Sequence, residues 1–183
     1  MTDLDWRIEM PGLSVTQVHP AFLGILRLGR PQGTEREGYM SILGHALPQQ
    51  PNIMVGQDRR LFWLSPCEWM IEGVPPAIVI DHVQALGGSR HYADMAAART
   101  IFEISGSVAR DLLAKGTSID FHPRAFGVDH CVRTLFVQVG VLVARLDDGP
   151  TFRIYADRSY QAYLRDWFSD AALEFNRQDH LTS

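Results

Sequence analysis

Apolar positions in this chain fall mostly into short runs of strand length, punctuated by glycine, proline and aspartate. Phe22 to Leu28 is the first such run. Arg60 to Leu64, Ser65-Pro66-Cys67 and Glu68 to Glu72 read as strand, turn, strand, because Pro66 has no donor for a ladder and belongs in the turn. His91 to Ala96 and Thr100 to Ile104 follow as further strands. Arg133 to Val139 and Val141 to Leu146 form a hairpin around Gly140. Asp147 to Pro150 is a turn, and Thr151 to Ala156 is another strand.

Helical spacing alternates with these runs. Thr34 is placed to cap a short helix over Glu35 to Leu43 that stops near Gly44. Pro48-Gln-Gln-Pro51-Asn52 then breaks the chain. Pro75 and Pro76 suit a helix entrance; the apolar stripe behind them is Ile78, Val79, Val83 and Leu86, ended by Gly87-Gly88. Ser107 is a fitting N-cap for Val108 to Lys115, with Gly116 at the end position. Asp157 or Ser159 caps the last helix. Its stripe is Tyr160, Tyr163, Leu164, Trp167, Phe168, Ala171 and Phe175.

The order of these elements echoes itself. Arg59 to Gly73 followed by a helix resembles Val132 to Asp147 followed, after one extra strand, by a helix, and each hairpin has a strand and a helix before it. The pattern predicts an α+β protein with two pseudo-repeated β-α-β-β-α halves, antiparallel sheet and helices outside it. The expected organisation is an N-terminal arm over residues 1–20, lying on the body or on a partner; a first half over 21–98; a second half over 99–176; and a tail over 177–183.

Composition narrows the function classes. The chain has 183 residues, 46% of them hydrophobic and 21% charged, an ordinary globular balance. With 17 Lys+Arg against 21 Asp+Glu the net charge is −4, which argues against a nucleic-acid backbone as partner. Two cysteines, Cys67 and Cys131, make no disulfide scaffold and read as free thiols. No apolar run is long enough to cross a membrane, and the acidic start of the chain does not read as a signal peptide, so the expected compartment is the cytoplasm.

Catalytic signatures do not appear in this sequence. It holds no G-x-G-x-x-G, P-loop, G-x-S-x-G, C-x-x-C or H-E-x-x-H. Lys115, the sole lysine, sits at a helix end, where it serves the helix dipole. Asp120, His122, Asp129, His130 and Cys131 are zinc-ligating types around one long loop, but at no recognised spacing; hydrogen-bonded loop residues explain them as well. Trp63, Trp69 and Trp167 are placed to line a pocket or to fill the core.

Three segments together resemble the gamma subunit family of heterotetrameric sarcosine oxidase. They are Trp63-Leu-Ser-Pro-Cys-Glu-Trp-Met70, the stretch from Arg99 to Phe126 (RTIFEISGSVARDLLAKGTSIDFHPRAF), and Arg158 to Ala171 (RSYQAYLRDWFSDA). Ile42-Leu-Gly-His-Ala-Leu-Pro48 is a weaker fourth. The family pattern has glycine and aspartate where this chain has Ser65 and Cys67, a change confined to a turn. The resemblance implies a fold like the folate-binding domain of aminomethyltransferases and a structural, non-catalytic role. It implies a complex that demethylates sarcosine to glycine, giving formaldehyde or methylene-tetrahydrofolate and hydrogen peroxide. The implied partners are alpha, beta and delta subunits. FAD, FMN, NAD and tetrahydrofolate would sit on the larger partners and zinc on the smallest, with none in this chain. A stand-alone folate-binding one-carbon transferase, with Asp120 as the carboxylate for the pterin edge, is the alternative; a homo-oligomeric binding module is a third reading.

A subunit of this kind contributes surface. The long loop Thr117 to Cys131 is the expected docking segment, with Phe121, His122, Arg124, Phe126 and His130 as its interface residues. The competing reading folds Phe121 and Phe126 back onto the domain's own core.

Overall fold

The structure, a computed structural model, describes residues 6–29, 38–86 and 88–176. The expected cap Thr34, the start of its helix at Glu35, Gly87 and the tail 177–183 lie outside the described residues. The chain divides into two compact units, Pro20–Ala98 and Met1–His19 with Arg99–Ser183.

In the unit Pro20–Ala98, β3 (Leu23–Leu28), β4 (Met54–Val55), β5 (Arg60–Ser65), β6 (Glu68–Glu72) and β7 (Arg90–Asp94) form an antiparallel sheet in the order β4-β5-β6-β3-β7. The β5–β6 turn falls at Pro66-Cys67, where a missing backbone donor costs no ladder bond. Helix α1 (Met40–Leu43) ends at Gly44, whose φ of +83° lets its N–H return to the Met40 carbonyl at 2.9 Å. Helix α2 (Pro76–Leu86) starts on its proline as expected. Its buried face is narrower than the sequence stripe: Val79 and Val83 are buried, whereas Ile78 and Leu86 are exposed. Leu26, Leu61, Trp69, Ile71, Tyr39, Leu43 and Val79 make up much of one core. Trp69 is fully buried, and its indole N–H donates to the Pro48 carbonyl at 2.8 Å, so the Pro48–Pro51 break is anchored there. In β7, Tyr92 lies against Gly24 of β3, where a Cβ would come within 2.1 Å of the phenol oxygen.

The other unit holds β1 (Arg7–Met10), β2 (Leu13–Val18), β8 (Arg99–Ser105), β9 (Cys131–Phe136), β10 (Val139–Arg145) and β11 (Phe152–Asp157). They pair antiparallel in the order β1-β2-β8-β11-β10-β9. Two strands therefore stand within the segment that the sequence pattern assigns to an N-terminal arm. Leu13, Val15 and Gln17 point inward and Ser14, Thr16 and Val18 less so, a period-two signal masked by the breaks at Pro11-Gly12 and Pro20. Helices α3 (Ala109–Gly116) and α4 (Gln161–Ala172) pack with this sheet around Phe102, Phe136, Phe152, Leu112, Leu113, Leu164 and Phe168.

Both units share strand, helix, hairpin and helix in that order. The extra strand β11 inserts between β10 and β8, whereas β6 pairs directly with β3. Ser107 does not cap α3: the N-cap is Val108, with no side-chain bond. Instead the Val108 N–H reaches the Gly12 carbonyl of the β1–β2 turn at 3.1 Å. Asp157 is the cap that precedes α4. Its carboxylate accepts from the Ser159 N–H at 3.0 Å and from the Ser159 hydroxyl, which hold it below the usual carboxylate range. Tyr160 and Tyr163, placed in the apolar stripe by sequence, are each 45% exposed. Among the described residues, no helix is long and apolar enough to cross a membrane.

Candidate functional site

The loop from Thr117 to His130 is built from local hydrogen bonds. Asp120 accepts the His122 N–H at 2.8 Å, and His122 Nδ1 accepts the Arg124 N–H at 3.2 Å. The His122 carbonyl then accepts from Ala125 and Phe126, closing one helical turn. Each of these bonds satisfies backbone that belongs to no strand or helix.

Phe121 and Phe126 pack inside the unit rather than on its surface. They are 3% and 5% exposed, meet edge to face at 5.5 Å, and pack on Phe152 at 5.5 and 6.4 Å. They join the core cluster built by the sheet and helices around Phe152. His122 and Arg124 remain exposed, and His130 is half-buried with its ring against Phe126 at 5.8 Å. The interface expectation for this loop thus narrows to its polar residues.

Arg145 is the residue that sequence reasoning missed. It is 4% exposed, at the end of β10. Its guanidinium donates to the carbonyls of Phe126 (2.9 Å), Asp147 (3.1 Å) and Asp148 (3.4 Å). Its backbone N–H and C=O engage His130 and Asp129. One side chain therefore pins both the long loop and the turn after β10, using the fixed fork of its donors. The only available signal was an arginine within an otherwise apolar run, Val139 to Leu146.

Lys115 also serves structure. It lies in the last turn of α3, donates to the Ala171 carbonyl near the end of α4 at 3.0 Å, pairs with Glu174, and sits 4.5 Å above the Phe175 ring. A cation here meets two helix C-termini at once. Trp69 is core, Trp167 packs edge-on against Phe136 at 4.8 Å, and Trp63 is half-buried. Among the described residues, no three His, Cys, Asp or Glu side chains converge as metal ligands. Asp120 is exposed and engaged in its turn, so it does not form the buried carboxylate that a pterin edge requires.

The hairpin β9–β10 turns at Val137-Gln138, not at Gly140. Both residues have positive φ, +48° and +72°, the backbone of a type I′ turn without its usual asparagine and glycine. Outside contacts hold it: Val137 N–H donates to the Gly116 carbonyl at 2.8 Å, and the Tyr163 hydroxyl donates to the Val137 carbonyl at 3.1 Å. Gly140 sits within β10, directly opposite Leu135, and Arg133 lies opposite Leu142. Arg133 and Leu135 are exposed on one side of β9, the edge strand.

Comparison with known proteins gives first the class. The chain shares its fold with the glycine cleavage system aminomethyltransferase T from Bartonella henselae, at a TM-score of 0.63 and 12% identity, over 86% of this chain and 45% of that one. The family follows from closer matches. The chain belongs to the sarcosine oxidase, gamma subunit family, which it matches over residues 38–174. The sarcosine oxidase gamma subunits of Corynebacterium sp. (strain P-1) and Arthrobacter sp. are each 31% identical over 137 residues, spanning 73% of this chain and 67% of theirs. A chain of the heterotetrameric sarcosine oxidase from Corynebacterium sp. U-96, solved with pyrrole 2-carboxylate, superimposes at a TM-score of 0.78. It has 27% identity, with 89% of this chain and 86% of that chain covered.

Proposed function

We propose that this chain is the accessory gamma subunit of a cytoplasmic heterotetrameric sarcosine oxidase. In this reading it contributes structure while its partners carry the chemistry. The complex oxidatively demethylates sarcosine to glycine, with formaldehyde or methylene-tetrahydrofolate and hydrogen peroxide as the other products. Alpha, beta and delta subunits are the partners, with FAD, FMN, NAD, tetrahydrofolate and zinc bound on them.

The supporting observation is the family match over residues 38–174 together with a superposition spanning 89% of the chain. The side chains described above agree with a supporting role. Lys115, Arg145, Asp120 and the two loop phenylalanines, each a candidate for chemistry or recognition by residue type, are engaged within the fold.

Co-expression with the large, flavin-binding and small subunits tests the reading. Sarcosine-dependent peroxide formation should appear in the four-chain complex and be absent from this chain alone; turnover by the isolated chain would refute it. The aminomethyltransferase likeness speaks for fold alone. Titration of the isolated chain with tetrahydrofolate should give no saturation at micromolar concentration.

A further inference from the structure

We draw no further inference here: the strongest candidate, the apolar surface patch that α2 leaves exposed at Ile78 and Leu86, has nothing in the structure that shows what covers it.

Discussion

Replacing Phe126 by alanine separates a core residue from an interface residue. The ring is 5% exposed and is held between Phe121, Phe152 and His130. Truncating a buried phenylalanine costs about 3–5 kcal/mol. A loop site relaxes into part of the space left behind, which favours the lower end of that range. Loss of the ring contacts adds about 0.5–1.5 kcal/mol. The backbone carbonyl that receives Arg145 survives the substitution, so that staple is not a further loss. A cost of about 3.5–4.5 kcal/mol against an m-value of about 1–3 kcal/mol per molar moves a urea midpoint down by roughly 1–4.5 M. The assay is urea unfolding of the isolated chain, with Arg124→Ala as companion. Arg124 is exposed and enters the loop only through its backbone N–H, so that variant should change stability by less than about 0.5 kcal/mol. A Phe126→Ala chain that keeps its midpoint but fails to join its partners would refute the packing argument and return the ring to the interface.

Other consequences are as direct. Gln138→Gly should stabilise the isolated chain by about 0.5–1 kcal/mol, because an exposed residue at φ +72° gains from losing its Cβ; equilibrium unfolding reads this. Gly24→Ala should lower the melting temperature markedly, since its methyl would overlap the Tyr92 hydroxyl, and Gly24→Ala with Tyr92→Leu should recover part of the loss. Burial, then Asp94, pushes the Tyr92 phenol up from 10.0 to about 12. The unfolded chain therefore releases that proton first: this contribution is complete below pH 10 and disappears as pH climbs to about 12. Tyr92→Phe should flatten that alkaline loss while leaving neutral-pH stability equal or higher, because its buried hydroxyl has no hydrogen-bond partner among the described residues.

Legibility in the sequence followed the range of the forces. The β5–β6 hairpin, the Gly44 stop and the proline start of α2 are set by local backbone chemistry and were readable from a few residues. The β9–β10 turn was misplaced because glycine marks positive φ, whereas here Val137 and Gln138 are held in it by Gly116 and Tyr163. No local rule contains those distant partners. Ser107 lost its capping role for a similar reason, as the Gly12 carbonyl already receives the helix entry. At the candidate site, the sequence leaves Phe121 and Phe126 between interface and core, and their packing on Phe152 is a long-range contact that no local pattern encodes. Arg145 was invisible because its partners are backbone carbonyls, which carry no sequence signal.

The early hairpin has a consequence for synthesis. β2 pairs with β8 from Ser14↔Ser105 to Val18↔Ile101, so its partner is made more than eighty residues later, after the whole unit Pro20–Ala98. At about 5–20 residues per second, β2 waits on the order of ten seconds on the ribosome with that edge unpaired. An open strand edge is a template for wrong pairing. The intervening unit, which keeps all its strands to itself, can fold during the delay and shorten the effective tether between the two halves of the sheet. Slowing translation across residues 20–98 should therefore lengthen the exposure of β2 without altering the finished protein. The yield of this chain would then depend on synthesis rate and on chaperones that shield strand edges.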